Sequence, residues 1–330
     1  MTTKATPSNL QWVGGAREIT PGTPVATPSF WIPVDGSSLK YKPNINPLLD
    51  SSYRGQMSTD FQQVQGMRFD TLDYKSFIYM DSVYQHCLAL CGRPDQVTGS
   101  SDPYTHKTSV ENGVDNPQAQ PPTFTLFWFD GIKCFQMAGC VLGDMKIDVK
   151  TDELVSLDAS WTGLQATIMS VAPANTPSTS KPIPSWNGVI KIAGTAVNRF
   201  SEVSLDYKRD VADVPTINNS QSPLSIFGGG VTCTGSLTAL YQGGSTDPDL
   251  AAYLANTQAS LAVVLAPVGD AVHSLTLTHS VVAYDDAQPS GSNKWMEIAS
   301  TVRALANATD ALDAETSCVQ AVMVSSAATY

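Results

Sequence analysis

Two consecutive segments near the middle of the chain alternate strictly between apolar and polar residues, and this pattern constrains the fold more than any other feature. The segments 145–150 and 155–161 are separated by the polar triplet 151–153. A period of two places successive side chains on opposite faces of a strand. The pattern therefore predicts a two-faced β-hairpin within residues 139–161. Its apolar members are Met145, Ile147, Val149, Val155, Leu157, Ala159 and Trp161. A lone hairpin is only marginally stable in water, so a sheet, a helix or a partner chain must cover this face.

The charge of the chain argues against binding of nucleic acid. Only 15% of the 330 residues are charged, the net charge is −11 and the isoelectric point is about 4.7. No run of Lys or Arg offers a contact for phosphates, so DNA should be repelled rather than gripped. The low charged fraction indicates a surface of uncharged polar residues, or one covered by other subunits. A chain of this length can form one large or two medium domains.

No segment of the sequence resembles a targeting signal. Residues 1–10 are polar and lack the apolar core of a secretory signal, and the longest apolar run, 261–268, is too short to span a bilayer. We therefore expect synthesis in a cytoplasm, where cysteines stay reduced. The six cysteines are Cys87, Cys91, Cys134, Cys140, Cys233 and Cys318.

The first 35 residues combine many Gly and Pro residues with several aromatic side chains. Such a segment cannot form a core of its own, yet its aromatic side chains are costly to leave in water. It is predicted to be an ordered arm that lies on another surface, either its own chain's or a neighbour's. A second segment, 93–122, is polar and Pro-rich and is predicted to be a long loop, which indicates a functional or partner-binding role.

The same order of elements is predicted twice along the chain. Strand, strand, helix, strand and hairpin follow each other within 36–170 and again within 197–330. Tyr41 and Tyr207 serve as corresponding anchors in the two copies. The first helix has apolar residues at helical spacing from Met80 to Cys91, and the second begins at Asp247 as N-cap, with Leu250, Tyr253 and Leu254 as its apolar stripe. Repetition of this kind determines the architecture.

These observations predict an α+β fold that is mainly β. It contains two tandem β-sandwich or barrel units, each with one flanking helix. The predicted segments are the N-terminal arm (1–35), the first unit (36–170), a Pro-rich linker (171–196) and the second unit (197–330).

One cluster in the sequence invites comparison with a metal site. His86, Cys87 and Cys91 lie within one predicted helix. Zinc requires four ligands, and no second Cys/His pair lies nearby in the sequence. The same positions complete the apolar stripe, where a free Cys behaves as a small hydrophobe. Packing in the core is therefore favoured over metal binding.

Other candidate motifs also have structural explanations. Asp247 and Asp249 fit helix capping better than a calcium loop. Asp285 and Asp286 should point to opposite faces of a strand, so they should not share a proton. The triplet 228–230 lacks the Lys-Ser/Thr of a phosphate loop and is interpreted as a bend between strands. His273 and His279 have no evident nucleophile beside them. We therefore predict no enzymatic activity, no catalytic or cofactor-binding residue, no metal site and no cofactor.

One phrase near the N-terminus resembles a known family. The segment 17–25, followed by 30–33, resembles the start of major tail proteins, or tail tube proteins, of long-tailed double-stranded DNA bacteriophages. Glu18, Thr20, Gly22 and Thr23 match the Glu-x-Thr-x-Gly-Thr phrase of that group. The resemblance implies tail-tube-like units and a structural protein of the virion. It implies a subunit that self-assembles into stacked rings, with double-stranded DNA passing through the lumen without specific binding.

The resemblance also implies partners: the tape-measure protein, the tail terminator and distal tail or baseplate proteins, besides copies of the chain itself. Two units per chain favour a trimeric ring with pseudo-sixfold symmetry, and a hexamer is the alternative. Candidates for the lumen surface, chosen because they lie on polar strand faces, are Asp70, Asp73, Asp148 and Asp158. Other functions left open are a capsid decoration or fibre-associated β-sandwich and a β-sandwich hydrolase or lectin.

Overall fold

The computed structural model describes residues 5–291 and 294–330, and within them the fold is mainly antiparallel β. The strands of the first half are β1 Trp12–Arg17, β2 Phe30–Ile32, β3 Lys40–Asp50, β4 Gln62–Phe77, β5 Gln96–Thr98, β6 Tyr104–Ser109, β7 Phe124–Phe129, β8 Cys134–Lys150, β9 Ser156–Gly163 and β10 Thr167–Ile168. Those of the second half are β11 Val189–Ile192, β12 Thr195–Val197, β13 Phe200–Val214, β14 Ser225–Leu240, β15 Ala259–Leu265, β16 Ser274–Ser290, β17 Glu297–Ala304 and β18 Gln320–Ser325. The helices are α1 Val83–Cys91 and α2 Pro248–Ala255.

Eight of these strands form one continuous antiparallel layer, the main sheet. Their order across the sheet is β3, β4, β9, β8, β13, β14, β17 and β16. The junction between the halves is the pairing of β8 with β13, which runs from Lys150 opposite Glu202 to Asp144 opposite Lys208. The two halves of the chain therefore share one sheet.

The two longest strands, β8 and β16, each enter a second group of strands. The first part of β8 pairs with β7 and β10, and β7 continues to β1 and β2. The first part of β16 pairs with β15 and β18. From there the sheet continues to β11 and β12 on one side and to β6 and β5 on the other. The core lies between these groups and the main sheet.

The predicted hairpin is confirmed as the turn between β8 and β9, with Ile147 opposite Leu157. All seven apolar residues of the predicted face are buried, and Trp161 is 1% exposed. Trp161 also donates a hydrogen bond from Nε1 to the Tyr74 hydroxyl at 2.9 Å. The alternation of the sequence thus decides which side of the sheet meets the core.

Helix α1 packs against β8, and its C-terminus lies at Gly92, as the sequence predicted. Gly92 adopts φ 89°, in the left-handed region that favours glycine, and its N–H donates to Leu88 O at 2.9 Å. All nine residues of α1 are buried, including Gln85 and His86. The spacing predicted one buried face, but β8, β6 and the C-terminal Tyr330 all contact the helix.

Helix α2 confirms its predicted N-terminus but only part of its predicted apolar stripe. Asp247 accepts hydrogen bonds from the N–H groups of Asp249 and Leu250, and Pro248 occupies the first turn. Of the predicted stripe, Leu250 packs against the small apolar cluster of Ala239, Ala287 and Ile298, whereas Tyr253 and Leu254 are exposed. The fully buried side chain of α2 is Asp249, so a polar contact, described below, holds this helix in addition to the packing of Leu250.

Three segments, predicted to be an arm, a long loop and a linker, contribute strands to the sheets. The 93–122 segment contains β5 and β6, and β6 pairs with β18 at the far end of the chain. The 171–196 segment contains β11 and the first residues of β12, and β11 pairs with β15. The 1–35 segment contributes β1, which pairs with β7 over Trp12–Arg17, so the described part of the arm lies on its own chain. Residues 1–4 of the predicted arm lie outside the described residues. These strands are short, lie within Pro-rich and Gly-rich segments and pair with elements distant in the sequence, so the local pattern did not predict them.

The pairing pattern of the first half recurs in the second half. The long hairpin β3–β4 corresponds to β13–β14, and the set β7, β8, β9 corresponds to β15, β16, β17. Register shifts recur as well: the shift at Ile45/Pro47 matches that at Arg209/Val211. By these shifts Tyr41 corresponds to Leu205, so the predicted correspondence of Tyr41 with Tyr207 was displaced by two residues. The division into two tandem units stays a prediction.

Candidate functional surface

The face of the main sheet that points away from the core is polar, because every second residue of its strands is polar or charged. We call it the polar face. Its charged members on the described strands include Lys40, Asp73, Lys75, Asp144, Lys146, Asp148, Lys150, Asp158, Glu202, Asp206, Lys208 and Arg303. Their neighbours on the opposite side of the same strands are core residues such as Leu72, Ile147 and Leu205.

Charges of opposite sign are paired across the polar face. Five of its cations contact a carboxylate: Lys146 with Asp148 at 3.0 Å, Lys150 with Glu202 at 2.9 Å, Lys208 with Asp206 at 3.3 Å, Lys75 with Asp158 at 3.8 Å, and Arg303 with Asp285 at 3.1 Å. An ammonium or guanidinium already bound to a carboxylate is a weaker partner for a phosphate than a free one, so these pairs reduce the attraction of the face for nucleic acid.

Three carboxylates lie near one another close to the middle of the polar face. Burial raises the pKa of Asp144, and the nearby Asp206 and Asp73 raise it further, while Lys208 opposes them. Asp73 accepts a hydrogen bond from Ser160 Oγ at 2.5 Å. This part of the face therefore carries local negative potential.

Three of the four acidic residues proposed for a lumen lie on the strand positions of the polar face: Asp73, Asp148 and Asp158. Asp148 is only 7% exposed there. The prediction was wrong for Asp70, which is fully buried on the core side of β4. Arg68 donates to Asp70 from Nε at 2.8 Å, and the Tyr41 hydroxyl donates at 2.5 Å. The sequence indicated this position, because Asp70 lies an even number of residues before the apolar residues that follow it in β4 and is therefore on the same face of the strand.

Both edge strands of the main sheet have an open side. Within residues 5–291 and 294–330, β3 pairs only with β4, and the segment 283–290 of β16 pairs only with β17. Unpaired backbone groups on a strand edge are a template for another strand. Proline occurs on both edges, at Pro43 and Pro47 in β3 and at Pro289 in β16.

The tips of the two long hairpins expose apolar side chains. On the first hairpin Tyr53 and Met57 are fully exposed, and Leu48 and Leu49 are more than half exposed. On the second hairpin these residues are Ile217, Leu224 and Phe227. Apolar groups concentrated on protruding segments mark an interaction site, because a monomer gains nothing from exposing them.

The phrase that carries the family resemblance has a defined structural role. The Glu18 carboxylate is buried and accepts four hydrogen bonds: from Gly22 N at 2.7 Å, Thr123 Oγ1 at 2.6 Å, Thr125 Oγ1 at 2.8 Å and Gly139 N at 2.8 Å. These donors belong to the turn after β1, to the segment leading into β7, to β7 itself and to β8. Glu18 therefore links the segment that follows β1 to β7 and β8 through buried hydrogen bonds.

The residues considered for a metal site belong to the core. The His86 ring lies between the Tyr74 hydroxyl, 2.7 Å from Nε2, and Ser82 O, 3.2 Å from Nδ1. Cys87 and Cys91 are buried free thiols, and burial raises the pKa of the Cys87 thiol to about 12. In the part of the chain that the structure describes, no group of three or more His, Cys, Asp or Glu side chains is arranged to hold a metal ion.

The other predicted motifs have local roles. Asp285 binds Arg303, and Asp286 accepts from its neighbour Ala287 N at 2.9 Å. The triplet 228–230 lies inside β14 at the register shift, so the prediction of a bend between strands was wrong. His279 is buried beside Tyr207, with 3.0 Å between Nε2 and the hydroxyl.

A groove of about 980 Å³ runs between α1, the 267–273 loop and the C-terminal residues. His273 lines it and is held by Asp270, 2.6 Å from Nδ1, and by Asp102, 3.1 Å from Nε2. Both ring nitrogens therefore lie within hydrogen-bond distance of a carboxylate, and this arrangement favours the protonated, cationic form of the imidazole. The hydrogen bonds from Asp102 and Asp270 raise its pKa.

The family comparison decides between the classes that the sequence left open. A family model described as phage tail tube protein matches residues 9–311. The chain belongs to this family. A search of curated proteins gave no match. Tail tube membership makes the chain a structural protein of the phage virion, located in the tail, and confirms the resemblance carried by Glu18, Thr20, Gly22 and Thr23. In the described residues, neither helix of this tail tube protein is long and apolar enough to cross a bilayer.

Proposed function

We propose that this tail tube protein self-assembles into stacked rings, and that the polar face of the main sheet lines a hollow conduit through which double-stranded DNA passes during infection. The observation that carries the proposal is a sheet with one buried apolar face, one polar face with paired charges, and two open edges. Such a sheet can be continued by copies of itself, whereas a self-sufficient monomer would close its edges.

Charge pairing on the polar face suits passage of DNA without specific binding. A row of free Lys or Arg side chains would hold phosphates and release counterions, giving strong, salt-dependent affinity. Here five of the cations are matched by carboxylates, and the cluster of Asp73, Asp144 and Asp206 adds negative potential. DNA should then move along the surface without being retained.

The number of chains in a ring follows from the correspondence between the two halves. If each half fills one of six equivalent places, three chains complete a ring with pseudo-sixfold symmetry. The alternative is a ring of six chains in which only one half faces the lumen. The trimer is favoured because strands of both halves, β8 and β13, form one continuous sheet and share the polar face.

Stacking of rings is assigned to the hairpin tips. Their exposed apolar side chains project beyond the sheets, where another ring would bury them. Partners at the tube ends and inside it, which are the terminator, distal tail or baseplate proteins and the tape-measure protein, follow from family membership. The role is structural, with no catalytic step, and synthesis takes place in the host cytoplasm.

Negative-stain images of the purified protein test the proposal against the alternative of a capsid decoration or fibre-associated protein. We expect rings or tubes with an open lumen, and class averages with three repeats per ring that resemble six. Monomers at all concentrations, or globular particles without a channel, would contradict the proposal. A screen that detects saturable turnover of a substrate would contradict the non-catalytic role.

A further inference from the structure

We infer that neighbouring chains in a ring join β3 to the 286–290 segment of β16, in the same strand register as the junction between β8 and β13 inside one chain. This seam rests on the proposed function, since it describes the contact that would close the ring.

The inference begins with the correspondence of strands. The register shift at Ile45/Pro47 matches that at Arg209/Val211, so β3 corresponds to β13. The shift at Leu142/Asp144 matches that at Tyr284/Asp286, so the end of β16 corresponds to the end of β8. Inside the chain, β8 and β13 are joined. Their counterparts β16 and β3 are the edge strands of the main sheet, and in the described residues each has an open outer side there.

Transferring the internal register gives a definite set of contacts between chains. Asp206 lies opposite Lys146 in the internal junction. In the seam, Lys42 corresponds to Asp206 and Gln288 corresponds to Lys146. The predicted pairs are Lys40–Ser290, Tyr41–Pro289, Lys42–Gln288, Pro43–Ala287 and Asn44–Asp286. None of these pairs opposes two like charges, so the seam carries no electrostatic penalty of that kind.

The seam differs from its internal template in backbone hydrogen bonds. Thr151 N donates to Ser201 O at 3.0 Å, so the odd-numbered residues of β8 point their backbone groups toward β13. The corresponding positions in the seam include Pro43 and Pro289, which have no N–H to donate. Two bonds that the internal junction can form are therefore missing between chains.

On the open edge of β16, the remaining N–H group that faces the seam already has a hydrogen-bond acceptor. Ala287 N, which the seam would use, is bonded to the side chain of the adjacent Asp286 at 2.9 Å. Prolines and a side-chain cap are devices that keep an exposed edge from pairing indiscriminately. The seam between chains is thus the weakest contact around the ring, and it forms only where the side chains match.

Cysteine cross-linking tests the register in assembled protein. Lys42→Cys with Gln288→Cys places two thiols at a pair that exchanges no backbone hydrogen bonds, where the Cα atoms lie about 4.5 Å apart, within the range of a disulfide. The six native cysteines are buried, so mild oxidation should leave them unchanged. We expect covalent ladders in denaturing gels that end at the number of chains in the ring.

A slipped pair serves as control. Lys40→Cys with Gln288→Cys keeps one cysteine and moves the other by two residues, and it should cross-link far less. Asp206→Cys with Lys146→Cys should close a disulfide within one chain. If rings form and the slipped pair reacts better, the register is wrong; if rings form and neither pair reacts, other edges meet. If no ring or tube forms in micrographs, the proposed function itself fails.

The prolines give a second, independent readout. Pro43→Ala or Pro289→Ala restores one N–H to the seam, and one added hydrogen bond should lower the dissociation constant of each seam about fivefold. Pro47→Ala lies on the same strand beyond the predicted seam and should leave ring dissociation unchanged. Equal effects of all three substitutions, or weaker assembly of the Pro43 and Pro289 variants, would overturn the proposed seam.

Discussion

Glu18 shows how one residue of a short motif can fasten an otherwise irregular segment. Each of its carboxylate oxygens accepts two hydrogen bonds, and the donors lie in the turn after β1, just before β7, in β7 and in β8. Two of these donors are backbone N–H groups, which cannot reorient. The carboxylate is therefore specified by its surroundings, and an amide of the same shape does not satisfy them.

Replacing Glu18 with Gln should destabilise the protein. The amide presents an NH₂ group where an oxygen accepted two bonds, so at least one buried donor loses its partner. We expect the free energy of unfolding to fall by about 2–3 kcal/mol, measured by urea denaturation. Glu153→Gln, on the exposed turn between β8 and β9, is the matched control and should change it by less than about 0.5 kcal/mol. Equal effects of the two variants would contradict this role.

Buried His86 predicts a defined sensitivity to acid. Burial lowers its pKa to about 4, against the usual 6.5. In the unfolded chain the imidazole protonates first, so stability is full above pH 6.5 and is lost as pH falls toward 4. At about 1.4 kcal/mol per pKa unit, the loss over this window is about 3 kcal/mol.

The test compares pH slopes and not absolute stabilities. His86→Asn should flatten the fall in unfolding free energy between pH 6.5 and 4, because asparagine does not titrate. His273→Asn is the control: its pKa is raised by Asp102 and Asp270, so this histidine stabilises the fold at low pH and loses that effect as pH rises. Its removal should leave the acid slope unchanged or slightly steeper. An unchanged slope in the His86 variant would refute the assignment.

At the scale of elements, alternation in the sequence was the reliable guide. The β8–β9 hairpin and its buried face were predictable because a period of two is unambiguous over many residues. The ends of both helices were predictable from Gly92 and Asp247, whose roles are local. Local signals of this kind depend on few neighbours.

Elements stabilised by distant partners could not be predicted in the same way. Strand β6 has a polar sequence and exists because β18 lies beside it. Helix α2 looked amphipathic, yet its buried anchor is the ion pair of Asp249 with Arg199, whose Nη2 lies 2.9 Å from Oδ1. The polar face itself was predictable from strand parity, but Asp70 shows that a charged residue can lie on the core side when Arg68 compensates it.

The two faces of the hairpin give an element-scale prediction. Leu157→Asp places a carboxylate in the core with no partner, so we expect loss of about 3–5 kcal/mol or failure to fold. Thr162→Asn lies on the same strand and the opposite face, and should change the free energy of unfolding by less than about 0.5 kcal/mol. Thermal unfolding followed by circular dichroism distinguishes the two. A stable Leu157→Asp variant would mean that the faces are reversed.

At the scale of the whole molecule, the main sheet has the properties of one segment of a larger sheet. Its two halves repeat one pattern of pairing, and in the described residues the outer edges of its main sheet are open and carry prolines. Its internal junction is the template for the contact that we propose between chains. The pairings of β8 with β13 and of β6 with β18 join the two halves, so the unit proposed to assemble is the entire chain. These properties suit the proposed role, in which the chain joins copies of itself in one register.

The most direct test is a cryo-electron microscopy map of the assembled protein, in which the direction of the main sheet can be read. We predict a hollow tube whose inner wall is the polar face, with Lys146, Asp148 and Asp158 directed at the lumen and three chains around each ring. A tube whose inner wall is formed by other strands, with these residues on the outside, would contradict the account.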